Sequence, residues 1–245
     1  EDYRPPLESA FRHYGVPLFV TRREEILSRP LPALISLAYE ILETGWDVDD
    51  VLSYLGTGLT GLSEGERDLL ADYVYKWQLR AGAWERDRDW RQHPDGYGAD
   101  FTEQTQERLA QINALRRRLA APLLHFKRRG EAAQTAAEQP AALASFLDEL
   151  RLPQQLEERS ALLEADGREE LAAEYRQLWE RVVSALEQCA AVLGEMTLDA
   201  PGFGRLFTRM LSQYDVGLIP VSLDRVSAGD FDRMRRRSIR HLLVL

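Results

Sequence analysis

Apolar residues recur at helical spacing through most of this chain and at strand-like density only near its two ends. Leu7, Ala10 and Phe11 mark a short first helix that stops at Gly15, after which residues 16–20 read as extended. Leu31, Leu34, Ile35, Ala38, Ile41 and Leu42 follow Pro30 and Pro32 on one helical face, and Gly45 closes them. Asp47 is an N-cap for a helix carrying Val48, Val51, Leu52 and Leu55. Ser63 and Glu66 have capping-box spacing ahead of Leu69, Leu70, Tyr73, Val74 and Trp77. A long amphipathic helix is predicted from about residue 101 to 127, with Leu109, Ile112, Leu115, Leu119, Leu123 and Phe126 on one face. Pro122 predicts a kink or a split in it, because its ring removes one backbone hydrogen bond and crowds the preceding turn. A linker over 130–139 leads to Pro140 and a helix with Leu143, Phe146, Leu147 and Leu150. The cleanest pattern is Leu171, Tyr175, Leu178, Val182, Ala185, Cys189 and Val192, whose alternating steps of four and three are those of a helix-helix seam.

The ends differ from this middle. Residues 216–220, 223–230 and the apolar run 241–245 read as strands and turns, so a sheet-forming lobe is interrupted by a helical insertion. The fold class expected is mainly α with a small α/β portion: residues 1–30 start the lobe, 31–214 form the insertion, and 215–245 return to the lobe. The stretch 81–100, rich in Trp, Arg, Asp, Gly and Pro, is a candidate boundary inside the insertion. A long insertion is tolerated when its ends emerge together, so the strand around Leu18 and one ending at Leu245 are expected in one sheet. An opening glutamate and a closing Leu-Leu-Val-Leu lead us to expect a piece of a larger protein.

Composition narrows the class. At 245 residues, 44% hydrophobic and 29% charged, the chain can bury a real core. No apolar run approaches the roughly 20 residues of a spanning helix and no signal segment opens the chain, so a soluble cytoplasmic protein without membrane contact is expected. The net charge of -9 conceals segregation: 101–130 carries +5, 131–200 carries -10 and 231–241 carries +4. Basic stripes on an acidic body suit phosphate along one face, whereas pairing between neighbouring acidic and basic helix faces would cancel them. Arg116, Arg117 and Arg118 fan around one turn, while Lys127, Arg128 and Arg129 converge at a helix end.

Catalytic constellations are missing from the sequence. It has no Gly-Lys-Ser or Gly-Lys-Thr phosphate loop, no Gly-x-Ser-x-Gly elbow, and four histidines, His13, His93, His125 and His241, at no ligand spacing. One cysteine, Cys189, excludes internal disulfides and a multi-thiolate site. No catalytic, cofactor-binding or metal-ligating residue is assigned. Trp84, Trp90 and Tyr97 among Arg86, Arg88 and Arg91 could stack on bases or could pin a long loop to the body.

The segments FRHYGVPLFV, RPLPALISLAYEIL and WDVDDVLSYLGTGLTGLSEGERDLLADYV resemble superfamily-one DNA helicases after their fourth motif, where inserted helices open in the second lobe. VGLIPVSLDRVSAGDFDRMR and RHLLVL resemble the return to that lobe in AddB-type subunits of bacterial AddAB helicase-nucleases. The resemblance implies a RecA-like second lobe flanking the helices, and a parent hydrolase that processes double-strand DNA ends for recombinational repair together with an AddA-type subunit. It implies ATP, Mg2+ and an iron-sulfur cluster for the parent, with none of these held in this stretch. Motor helicases carry a Lys-Gly-Leu-Glu motif where this chain reads Gly229-Asp230-Phe231-Asp232-Arg233, so the resemblance does not extend to driving translocation. It places the loop with Arg233, Arg235, Arg236 and Arg237 near bound DNA. Those four, with Lys127, Arg128 and Arg129, are the DNA-binding candidates. A helical module docking a partner subunit, without DNA contact, is the competing reading.

Overall fold

The computed structural model describes residues 4–20, 26–213, 226–228, 241 and 243. The chain divides into two units, Glu1–Glu24 with Asp215–Leu245, and Glu25–Tyr214.

The first unit contains α1 (Arg4–His13), β1 (Leu18–Val20) and β2 (Val226–Ala228). Gly15, at φ 64°, lets the chain reverse after α1, and the Val16 amide closes the turn on Phe11 O at 2.9 Å. β1 then pairs parallel with β2, Leu18 opposite Val226 and Val20 opposite Ala228. The strand expected to share this sheet was the terminal run 241–245. Its described members, His241 and Leu243, lie in no strand, and Leu243 is 89% exposed. The segments 216–220 and 233–237 lie outside the described residues.

The second unit is built from α2 (Pro30–Thr44), α3 (Val48–Gly56), α4 (Glu64–Trp77), the single turn α5 (Gly82–Glu85), α6 (Glu103–Ala132), α7 (Gln139–Glu149), α8 (Leu152–Ala165), α9 (Glu169–Val192) and α10 (Ala200–Leu211). Its punctuation is local chemistry. Gly45 ends α2 at φ 74°, the Asp47 carboxylate accepts from the Asp49 amide at the start of α3, and Ser63 and Glu66 cap α4 reciprocally.

Helix α6 departs from its expected bounds. It runs unbroken through Pro122 to Ala132, so the expected split does not occur and the linker shrinks to 133–138. The physical reason is burial on both sides of the proline: Leu115 and Leu119 before it, and Leu123 and Phe126 after it, are all at most 2% exposed. Each such side chain contributes about 1.5–3 kcal/mol, enough together to offset the roughly 3 kcal/mol cost of an interior proline. The core gathers around Tyr39, whose ring meets Phe126 edge-on at 5.0 Å and Phe203 at 6.5 Å, while Phe126 stacks on Phe146. On α9 the seam is buried from Tyr175 to Cys189, whereas its first member, Leu171, is half-buried and its last, Val192, is 80% exposed.

Candidate nucleic-acid interface

The positive charge of 101–130 is mostly consumed inside the fold. Lys127 Nζ lies 2.9 Å from Glu85 Oε1, and Arg129 Nη1 lies 3.1 Å from Glu149 Oε2, a carboxylate that also bonds His125 Nδ1 at 2.6 Å. Arg108 pairs with Asp95, Arg117 with Asp89 and Arg118 with Glu66. Arg116 is 2% exposed. Of the three cations expected to converge at the end of α6, Arg128 alone is exposed and without an ion pair among the described residues. Surface pairs of this kind contribute only about 0–1 kcal/mol, so a phosphate could displace a carboxylate, but it would have to compete for Lys127 and Arg129. Arg233, Arg235, Arg236 and Arg237 lie outside the described residues.

The tryptophan-rich stretch 81–100 belongs to the body. Trp84 and Trp90 are buried, with Trp46 stacked on Trp84, Trp84 edge-on to Trp90, and Trp90 stacked on Tyr73, at centroid separations of 5.0, 5.0 and 5.5 Å. These rings therefore have no free face for a base, and the loop-pinning reading holds for both. Two residues one turn apart on α6 clamp the backbone beneath. Asn113 accepts from the Trp90 amide at 2.8 Å and donates to Trp90 O at 3.1 Å, while Arg116 Nη1 donates to the carbonyls of Ala83, Arg86 and Arg88. From α4, Tyr73 donates to Gln92 O, Lys76 to Pro94 O and Trp77 to His93 O. His93 is a spacer in this loop: its Nδ1 accepts from the Asp95 amide at 3.1 Å and its Nε2 lies 3.2 Å from Asp100 O. What remains outward is a shallow cleft of about 380 Å³ rimmed by Arg86, Arg88 and Arg91, all exposed. Tyr97, 92% exposed, rests its ring against Trp77.

A third basic feature is not apparent from the sequence. Arg67, Arg118 and Arg159, from α4, α6 and α8, all reach the turn 57–62 between α3 and α4. Its only local signal is three glycines, Gly56, Gly58 and Gly61, in six residues.

Cys189 is a buried lone thiol 3.9 Å from Met210 Sδ, and burial raises its pKa. Among the described residues no three His, Cys, Asp or Glu side chains are grouped to hold a metal ion. No described helix is long and apolar enough to cross a membrane.

Over its whole length the chain is similar to proteins named as the AddB component of an ATP-dependent helicase/deoxyribonuclease. It is 36% identical to the one from Desulforudis audaxviator, 33% to that from Symbiobacterium thermophilum and 30% to that from Acetivibrio thermocellus. Each match takes in 100% of this chain and 22% of the relative, so the chain spans less than a quarter of the curated relatives it matches. No protein-family model matches it.

Proposed function

We infer that this chain, homologous along its whole length to a segment of the AddB-type ATP-dependent helicase/deoxyribonucleases, is a structural, DNA-facing part of such a protein. The parent would be a cytoplasmic bacterial hydrolase that processes double-strand DNA breaks for recombinational repair, together with an AddA-type subunit. The observation that carries this reading is full coverage of the chain at 36% identity. In this reading β1 and β2 are pieces of a RecA-like lobe, residues 31–214 are its helical insertion, and ATP, Mg2+ and the iron-sulfur cluster are held by other parts of the parent. The chain contributes position and charge to the complex and no chemical step.

DNA contact is assigned first to Arg233, Arg235, Arg236 and Arg237, then to Arg128. Replacing the four loop arginines by alanine in the parent complex should weaken DNA binding and flatten its dependence on salt by about one unit of slope per lost phosphate contact. The measurement is a salt titration of DNA affinity. An unchanged slope and affinity would remove this loop from the interface. It would favour the second reading, in which the helical unit docks a partner subunit, a reading supported by the ion pairing of Lys127 and Arg129.

A further inference from the structure

At the turn 57–62 two arginines face each other without a counter-charge. Arg67 is held by α4 and donates from Nη1 to Leu55 O at 3.2 Å. Arg159 is held by α8, its guanidinium carbon 5.6 Å from the centre of the Tyr175 ring. Both guanidiniums border Gly58: a Cβ there would lie 3.3 Å from Nη1 of Arg67 and 3.5 Å from each terminal nitrogen of Arg159. The two cations are thus within about 7 Å of each other across a residue with no side chain. Neither makes an ion pair among the described residues, whereas the third arginine of the turn, Arg118, is neutralised by Glu66. Three carbonyls at the turn each accept a side-chain donor. Leu55 O binds Arg67, Leu59 O binds Gln155 at 3.3 Å and Gly61 O binds Arg118 at 3.1 Å. No carboxylate pairs with Arg67 or Arg159 at this turn among the described residues, and the Thr60 hydroxyl is buried there without a partner.

We propose that the Gly58 turn is an anion site that takes one phosphate group between Arg67 and Arg159. Two preset guanidiniums offer paired N–H donors matched to phosphate oxygens, and their mutual repulsion is relieved only when an anion is bound. The site stands on its own geometry; reading its phosphate as part of a DNA backbone rests on the proposed function above.

The test is the thermal midpoint of the chain in rising inorganic phosphate against sodium chloride of equal ionic strength. Wild type should show a phosphate-specific rise of a few °C at saturation. Arg159→Gln should abolish it. Gly58→Asp should abolish it too, because aspartate is among the side chains that visit the left-handed backbone of Gly58, at φ 72°, and it places a carboxylate beside the two cations. No phosphate-specific rise in wild type, or a rise retained in both variants, overturns the proposal. A second arm uses a fluorescein-labelled thymidine oligomer. If phosphate competes with it and Arg159→Gln weakens it several-fold, the ligand is a nucleic-acid backbone; unaltered oligomer affinity with the phosphate rise intact identifies a free phosphate ligand. Replacing Arg233, Arg235, Arg236 and Arg237 should leave the phosphate rise unchanged, which separates this site from the loop assigned above.

Discussion

Arg116 shows how far one side chain can act from its formal charge. It sits in the middle of the most basic stretch of the chain, yet its guanidinium is buried under Trp90 at 5.4 Å and donates to three carbonyls. Burial lowers its pKa from the usual arginine value, with Asp89 acting in the opposite sense. Arg116→Met would leave those carbonyls without their donor, so we expect a loss of roughly 2–4 kcal/mol in urea unfolding, with Arg116→Lys intermediate because an ammonium cannot span the same fork. Glu66 gives a second residue-level prediction. The Ser63 amide, followed by Arg118, holds its carboxyl below the ordinary glutamate range. Folding therefore favours the carboxylate, and its contribution is present above the ordinary pKa of about 4.3 and is lost as pH falls through the lower folded value. Glu66→Gln keeps a capping-box residue but drops the charge. Its stability deficit, measured by denaturant titration, should be clear at pH 7 and shrink progressively below about pH 4.

At the scale of elements, close helix packing is set by missing side chains. A Cβ on Gly204 of α10 would lie 2.5 Å from Tyr39 Cγ on α2, and one on Gly130 of α6 would lie 2.9 Å from Ala200 Cβ. Gly204→Ala should therefore destabilise by about 1–3 kcal/mol through overpacking. In a double-mutant cycle Tyr39→Leu should recover part of that loss; simple additivity of the two changes would show that the ring is not the obstacle. Most helix starts and stops were legible, because Asp47, Ser63 with Glu66, and Gly45 act within one turn of themselves. Pro122 was not. Its local penalty is visible in the sequence, but the packing beside it includes Tyr39 of α2 and Phe146 of α7 against Phe126, outside any window centred on the proline.

At the scale of the whole molecule, the expectation to test is inactivity. The sequence lacks a phosphate loop, and the described residues hold no cluster of metal-binding side chains, so the purified chain should neither release phosphate from ATP nor cut labelled DNA. Turnover that disappears on a point substitution within the chain would reveal a missed site. The segment sum of +5 does not translate into a matching surface field, since the cations of α6 are largely paired with Glu66, Glu85, Asp89, Asp95 and Glu149.

The sequence by itself determined the helical character, the caps, the apolar faces and the missing catalytic motifs, since each is written in residues a few positions apart. It also placed an extended segment at Leu18. Tertiary structure decided that a partner of this segment is Val226–Ala228, because strand pairing joins residues far apart with no shared periodicity. It decided equally which arginines are free. Arg129 is neutralised by an acid on the next helix, whereas Arg67 and Arg159, ordinary charges in the sequence, are brought to one glycine by helices that meet only when the chain is folded.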